Sequence, residues 1–343
     1  MREHTMTTAF PHRRRAAFTA LAAIGCLTFA GCAGSSASDG GGSEASTDAA
    51  SAADFPRTVA VGDRDIDIDA EPQHVAALST EVGDIVLELV GPERLVAVAE
   101  GSATPGTGNQ LDLAESVPTH LSVTQNPDPE QILSLDPDLV LLTGRHDDEA
   151  SLIDSLEGAG VPIAAFESTD FGDPETVASS IETIGDLVGA DSEARTIATA
   201  VRDDAAAVTD AVADVDNKPR VLVLMARGGT QMIMGAHSST TNLVELAGGS
   251  SVAVEEGWNQ AMPADPEAII AADPDVIVVQ DFRDAGLEPF AELLENPALA
   301  DVAAVADDEV HLVDAETTSG TAGSRISEGL REIAELLHPD VFA

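Results

Sequence analysis

Short apolar runs alternate with stretches of helical periodicity along most of the chain. The apolar runs are rich in Val, Ile and Leu and mostly lack alternating polar positions, as is typical of strands buried on both faces. They predict strands over residues 74–78, 95–99, 138–143, 162–167, 220–226, 231–235, 275–280 and 310–315. The amphipathic stretches between them predict helices over residues 82–90, 129–135, 148–159, 266–272, 290–294 and 326–337. Strands and helices in alternation are typical of an α/β fold with mostly parallel sheets.

The middle of the chain has a different pattern. Residues 174–214 contain no apolar run of strand type and are rich in alanine and other helix formers. Gly185 and Gly189 interrupt the pattern, and residues 192–214 then predict one helix of roughly 35 Å. That length is large for a connector within one domain, so we interpret this helix as a rigid link between two lobes.

The link separates two copies of one sequence pattern. Residues 127–142 read PDPEQILSLDPDLVLL, and residues 264–279 read ADPEAIIAADPDVIVV. The repeat predicts two Rossmann-like lobes joined by a single long helix, with a cleft between the lobes. The first copy also carries an insertion with a loop rich in Gly, Thr and Pro, residues 101–110. We place the N-terminal lobe at residues 55–170, the linking helical segment at 171–217 and the C-terminal lobe at 218–343.

The beginning of the chain predicts export. Three arginines precede an apolar run over residues 16–30, which is shorter than the ~20 residues that a membrane-spanning helix needs. The run is followed by Cys32, and the segment resembles a bacterial lipobox, in which such a cysteine is lipidated. We therefore expect a signal peptide over residues 1–31, a flexible tether over 32–54 and a lipid anchor on the outer face of the cell membrane.

Composition narrows the function classes. The chain has 16 basic and 61 acidic residues, for a formal net charge of −45, which argues against binding nucleic acid. Its two cysteines cannot build a disulfide framework, and it has no tyrosine. The sequence holds no P-loop, HExxH, CxxC or GxSxG motif. We therefore predict that the protein is not an enzyme, and we expect no cofactor.

Arginine follows four of the predicted strands. Ligands of open α/β sheets bind beyond the carboxyl ends of the strands, and guanidinium groups bind carboxylates and other oxygen anions. We therefore predict that Arg145, Arg227, Arg283 and Arg325 line a cleft and contact an anionic ligand. The alternative for any one of them is an ion pair with a surface acid.

One histidine and one tryptophan are further candidates. His146 follows Arg145 in a loop and could ligate a metal or a haem iron, although a lone loop histidine is more often simply exposed. Trp258, the single tryptophan, could stack on a flat ligand, and packing within its lobe is an equally good interpretation.

Taken together, the lipobox, the tether, the doubled block and the linking helix resemble the solute-binding lipoproteins of iron-chelate, haem and cobalamin ABC importers. The most specific part is the pair DPEQILSLDPDLVLLT and DPEAIIAADPDVIVV. The resemblance implies two lobes that hold a ligand in the cleft. It also implies that one glutamate on each lobe docks onto the permease, here Glu130 and Glu267. The alternative for these two acids is simple stabilisation of a helix start.

The resemblance further implies a function. We expect an exported, monomeric lipoprotein that captures an iron chelate, either a ferric siderophore or haem, and delivers it to an ABC permease with its ATPase. His146 would be the iron ligand only if the chelate is haem. A cobalamin-binding protein of the same family, or a bilobed enzyme or sensor, are the alternatives.

Overall fold

The computed structural model describes residues 54–122, 128–144 and 148–343. The predicted signal peptide, most of the predicted tether and Cys32 therefore lie outside the described residues. The same holds for Arg145 and His146.

The N-terminal lobe is built on a five-stranded parallel sheet of order β5-β4-β3-β6-β7, with an antiparallel hairpin, β1-β2, beside it. Its strands are β1 Arg57–Val61, β2 Arg64–Ile68, β3 Val75–Ala77, β4 Leu95–Ala99, β5 His120–Leu121, β6 Leu139–Gly144 and β7 Ile163–Glu167. Its helices are α1 Thr80–Val90, α2 Leu111–Ala114, α3 Pro129–Leu133 and α4 Asp148–Gly158.

Two helices form the link, α5 Pro174–Val188 and α6 Asp191–Val212. They pack closely, because a Cβ on Gly185 would lie 2.2 Å from the Cβ of Ala194. Arg202 of α6 adds ion pairs to Glu175 and Glu182 of α5. The predicted long helix is thus confirmed, and its 22 residues span roughly 33 Å.

The C-terminal lobe carries a second sheet of order β11-β9-β8-β12-β13, in which β9 runs antiparallel to β8 and the short β10 also pairs with β8. Its strands are β8 Arg220–Arg227, β9 Thr230–Ile233, β10 Ser250–Ser251, β11 Met262–Pro263, β12 Val276–Asp281 and β13 Val310–Asp314. Its helices are α7 Ser239–Leu246, α8 Val252–Glu255, α9 Pro266–Ala272, α10 Ala291–Leu294, α11 Ala303–Ala306, α12 Ala315–Thr318, α13 Ile326–Leu337 and α14 Pro339–Phe342.

This architecture confirms the predicted α/β fold class. All eight predicted strands are present, but the sequence patterns did not reveal β1, β2, β5, β10 and β11. The hairpin β1-β2 was missed although its strands alternate buried and exposed positions, the pattern of a sheet with one solvated face.

The two lobes share one apolar core. A single cluster of buried side chains runs from α1 through α5 and α6 to α13, and includes Ile85, Ile184, Val201, Val223 and Leu330. Smaller clusters lie on the outer side of each sheet, one in each lobe. The link therefore does not hold the lobes apart as a bare strut; it packs against both and fixes their relation.

The repeated Asp-Pro-Asp block has the same structural role in both lobes. Asp138 and His74 exchange two hydrogen bonds. The backbone N–H of Asp138 donates to the carbonyl of His74. The backbone N–H of His74 donates to the carboxylate of Asp138 at 2.9 Å. Asp275 and Arg220 exchange the same two hydrogen bonds, with 2.8 Å at the carboxylate. Each second aspartate of the block thus ties the starts of two neighbouring parallel strands together.

We expect Asp275→Ala to lower the free energy of unfolding by about 1–2 kcal/mol, because the N–H of Arg220 loses a charged acceptor. Urea denaturation at constant salt measures the change. Asp301→Ala is the control, since Asp301 is exposed and its carboxylate accepts no hydrogen bond from the described residues. Equal losses in the two variants would contradict the role of Asp275.

Candidate functional site

The carboxyl ends of the strands in the two lobes meet at one junction. The loop after β4 reaches the segment after β13, where the Gly106 N–H donates to Glu316 Oε1 at 2.9 Å. Asn109 Nδ2 donates to the carbonyl of Thr321 at 2.7 Å. This junction is therefore the place where a ligand of an open α/β sheet is expected to bind.

Two of the predicted ligand-contacting arginines end neighbouring strands. Arg227 is the last residue of β8, and Arg283 follows β12 by two residues. The strands are paired in parallel, with Gln280 opposite Met225, so their carboxyl ends lie side by side. Both arginines are exposed, and neither forms an ion pair with any of the described residues. The prediction that they contact an anionic ligand stays a prediction.

Arg325 has a different environment. It ends a short 3-10 turn before α13 and is half-buried. Its guanidinium pairs with Glu328 at 3.1 Å and Glu316 at 3.5 Å, and donates to Asn109 Oδ1 at 2.9 Å. Arg325 therefore has the ion pairs with acids that were the alternative to a ligand contact. Its hydrogen bond to Asn109 reaches the N-terminal lobe.

Trp258 lies away from the two exposed arginines. Its carbonyl accepts the N–H of Ala236 at 2.7 Å, beyond the end of β9. Because β9 is antiparallel to β8, this end of β9 points toward the start of β8, opposite to Arg227. The half-buried indole packs against the apolar cluster of its own lobe, which includes Leu224 and Ile233.

Arg145 and His146 follow β6, whose last residues are described although these two are not. The end of β6 is fixed by the N–H of Thr143, which donates to Ser79 Oγ at 2.8 Å. The Thr143 hydroxyl is buried and has no hydrogen-bond partner in the described part of the chain. The predicted roles of Arg145 and His146 stay predictions.

Glu130 and Glu267 occupy the same local geometry on the two lobes. Each is exposed, stands second in a helix that begins with proline, and donates its N–H to the preceding Asp Oδ1 at 2.9 Å. The capping residues are Asp128 and Asp265. The structure thus has one exposed carboxylate at an equivalent position on each lobe. Each of these acids also lies at the start of a helix, where the helix dipole favours a negative charge.

An acidic face of α1 lies next to the junction and was not singled out from the sequence. Asp84 is 2% exposed, and its Oδ2 accepts the N–H of Asn109 at 2.7 Å. Its Oδ1 has no hydrogen-bond partner among the described residues. Burial raises the pKa of Asp84 to about 7; Asn109 and Ser102 counteract this rise, and the charges of Glu81 and Glu88 add to it.

Glu88, one helical turn further along α1, is also part of this junction. Its Oε2 accepts a hydrogen bond from Ser324 Oγ of the other lobe at 2.7 Å, and burial raises its pKa. Glu81, Asp84 and Glu88 follow the i, i+3, i+7 spacing of one helix face. The sequence did contain a signal for these three residues, because they are acids on the apolar face of a predicted helix.

A cavity of about 470 Å³ lies where the start of α5 meets α6 and α7. Its lining includes Asp173, Glu175, Arg202, Asn242 and Leu246. Among the predicted ligand-contacting residues that the structure describes, none lines this cavity.

The described part of the chain contains neither a cluster of potential metal ligands nor a membrane-spanning helix. No group of three or more His, Cys, Asp or Glu side chains in these residues is arranged to hold a metal ion. No helix in this part of the chain combines the length and apolar character needed to cross a bilayer.

Comparison with known proteins identifies the family. The family described as "Periplasmic binding protein" matches residues 75–317, which include the link and most of each lobe. The chain belongs to this family. It is therefore a binding protein of the ABC importer class, and the family members it resembles are transport proteins rather than enzymes.

Individual relatives differ in what they bind. A "Cobalamin-binding protein" of Halobacterium salinarum is 28% identical over 280 residues, covering 80% of this chain and 71% of the relative. The "Uncharacterized ABC transporter substrate-binding lipoprotein YvrC" of Bacillus subtilis is 24% identical, covering 84% and 87%. Among solved structures, "Periplasmic heme-binding protein RhuT from Roseiflexus sp. RS-1 in apo form" shares 24% identity and a TM-score of 0.63, covering 78% and 99%. That structural likeness shows a common fold.

The raised pKa of Asp84 predicts a pH-dependent stability. The folded protein holds this proton more tightly than the unfolded chain, so the free energy of unfolding should fall as pH rises from about 4 to about 7. The Asp84→Asn variant has no ionisable group at this position. Between pH about 4 and about 7 its free energy of unfolding should therefore fall by roughly 2–4 kcal/mol less than that of the unsubstituted protein. Urea denaturation across this pH range at constant salt measures both slopes.

Asp112→Asn is the matched control, because Asp112 is an exposed acid of the same lobe. Partial burial raises the pKa values of Glu88 and Glu332 too, so the free energy of unfolding should still fall somewhat with pH in the Asp84→Asn variant. An unchanged slope in Asp84→Asn would show that Asp84 ionises as freely in the folded protein as in the unfolded chain.

Proposed function

We propose that this protein captures a chelated metal outside the cell membrane and delivers it to an ABC permease, and that the chelate is a cobalamin-like corrinoid. The choice of a corrinoid as ligand rests on the match to the cobalamin-binding relative. This match covers 280 residues and extends across both lobes and the link. Membership of the binding-protein family supports the transport role.

The chemistry of the cleft edge is compatible with a corrinoid. The segment after β13 that reaches the junction between the lobes carries the hydroxyl groups of Ser319, Thr321 and Ser324. Such groups suit the carboxamide rim of a corrin ring. Arg227 and Arg283 are exposed cations that could meet the phosphate of the corrinoid's nucleotide loop. A corrinoid carries its own axial ligands, so its binding does not require a metal ligand from the protein.

An iron chelate is the second candidate. The same two unpaired arginines could bind haem propionates or the oxygens of a ferric siderophore. Haem would need an axial ligand in addition, and the chain contains no tyrosine, which leaves His146 as the candidate for that role.

Docking and anchoring complete the proposal. Glu130 and Glu267 are exposed carboxylates in equivalent positions, so a permease with two matching cationic sites would engage both lobes at once. The export signal and Cys32 would hold the protein at the membrane surface through a lipid, which keeps it close to its permease.

We expect cyanocobalamin, added to the purified protein, to quench the fluorescence of the single tryptophan in a saturable way. Haemin and a ferric hydroxamate should produce no saturable change. Arg227→Ala combined with Arg283→Ala should weaken cyanocobalamin binding about tenfold or more, since two charged contacts are lost. Arg331→Ala, which removes an exposed arginine elsewhere, is the control. A haemin Soret shift that disappears in His146→Ala would replace the corrinoid with haem.

We expect Glu130→Ala combined with Glu267→Ala to reduce uptake by cells roughly tenfold or more while ligand binding by the purified protein is unchanged. The physical reason is the loss of both charged contacts to the permease. Glu115→Ala combined with Glu292→Ala, one exposed acid on each lobe, is the matched control. Normal uptake in the Glu130/Glu267 variant would exclude the docking role.

A further inference from the structure

The loop over residues 101–110 crosses from the N-terminal lobe to the C-terminal lobe, and we call it the strap. It belongs to the insertion that the second copy of the sequence repeat lacks. Its glycine-rich composition is typical of a flexible loop, but its contacts show a held segment. A Cβ on Gly101 would lie 2.1 Å from Thr80 Oγ1, and one on Gly108 would lie 2.2 Å from the carbonyl oxygen of Ser102. These glycines permit close packing at both ends of the strap.

The N-terminal lobe anchors the strap through α1. Asp84 accepts the N–H of Asn109 at 2.7 Å from a buried position below the strap. Ser102 is fully buried and donates to the carbonyl of Thr80 at 3.4 Å. The ends of the strap are therefore fixed to one lobe before it reaches the other.

The C-terminal lobe receives the strap through a set of polar contacts. Asn109 uses both ends of its amide, donating to Thr321 O at 2.7 Å and accepting from Arg325 at 2.9 Å. Glu316 accepts the N–H of Gly106 at 2.9 Å and also pairs with Arg325. Arg325 is thus the centre of the receiving site, oriented by the acids on either side of it.

Gly106 of the strap lies directly against the backbone of the C-terminal lobe. Its φ of +74° is in the left-handed region, and a Cβ placed on it would lie 2.7 Å from the Cα of Arg283. The strap therefore abuts the backbone that carries one of the exposed arginines. No side chain fits at this point unless the lobes or the strap shift.

We propose that the strap ties the lobes across one end of the cleft and sets their separation, and that Arg325 is a positioning residue of this tie rather than a contact of the ligand. The apolar core shared by the lobes fixes them at the link, and the strap fixes them again at the strand ends. A gap held at both places selects ligands by size and slows their escape. This last consequence rests on the proposed function; the tie itself does not.

The test measures the separation of the lobes in the ligand-free protein. Spin labels at Ser134→Cys and Ala271→Cys, exposed and equivalent positions of the repeat, report it by pulsed electron spin resonance. The background chain carries Cys26→Ser and Cys32→Ser, which removes every native cysteine. We expect one narrow distance distribution in this background, and a broader or shifted distribution in Gly106→Ala and in Asn109→Ala.

Each variant has a matched control. Gly160→Ala imposes the same backbone strain at φ +80°, but nothing lies within 4 Å of its new Cβ. Asn259→Ala removes an exposed loop asparagine of the C-terminal lobe. Both controls should reproduce the narrow distribution. If Gly106→Ala fails to fold, as judged by circular dichroism, Asn109→Ala decides alone. Distributions in the strap variants that match those of the controls would overturn the proposal.

A second readout links the tie to ligand exchange. Stopped-flow displacement of cyanocobalamin, or of haemin if that is the probe that binds, should give a dissociation rate raised roughly two- to tenfold in Asn109→Ala. The association rate should change less. If the distance distribution changes but neither cyanocobalamin nor haemin binds, the role of the strap in fixing the lobes is supported and the proposed ligands are contradicted. An altered distribution with unchanged dissociation would overturn the role in retention.

Discussion

The shared apolar core is the constraint on which the rest of this structure depends. Each lobe buries the outer side of its own sheet, but the inner sides contribute to one cluster that passes through α1, α5, α6 and α13. Burying this surface requires the lobes to pack side by side. Their carboxyl strand ends then meet at one junction, so the position of that junction is a consequence of how the core is filled.

Arginine is used sparingly in this acidic chain, and its uses divide into two kinds. Several arginines fasten segments together: Arg94 donates to the carbonyls of Pro72 and Val188, and Arg220 donates to Ala272 and pairs with Glu255. Arg325 belongs to this kind, although it stands where a ligand contact was expected. Arg227 and Arg283 have no such task within the described residues, and they end adjacent strands. Their exposure at neighbouring strand ends is the reason they are proposed as ligand contacts.

The internal repeat places the same local structure in both lobes. In each lobe an aspartate caps a short helix, a proline begins it, and a glutamate faces outward. A few residues later, another aspartate joins the starts of two strands. The same sequence block therefore stabilises the sheet and presents a carboxylate, so the two proposed docking acids hold equivalent places because the repeat places them there.

The sequence by itself determined the local structure: the eight strands, the linking helix, the repeat and the α/β class all follow from hydrophobic periodicity, which depends on neighbours a few residues away. Strands as short as β5 and β11 escaped it because two residues carry no period. Only the tertiary structure decided that Arg325 meets Asn109, its partner 216 positions away, that Trp258 lies at the opposite end of the β8-β9 hairpin from Arg227, and that Asp84 is buried beneath the strap. Such contacts depend on how distant elements pack against each other, and a pattern read along the chain carries no information about that packing.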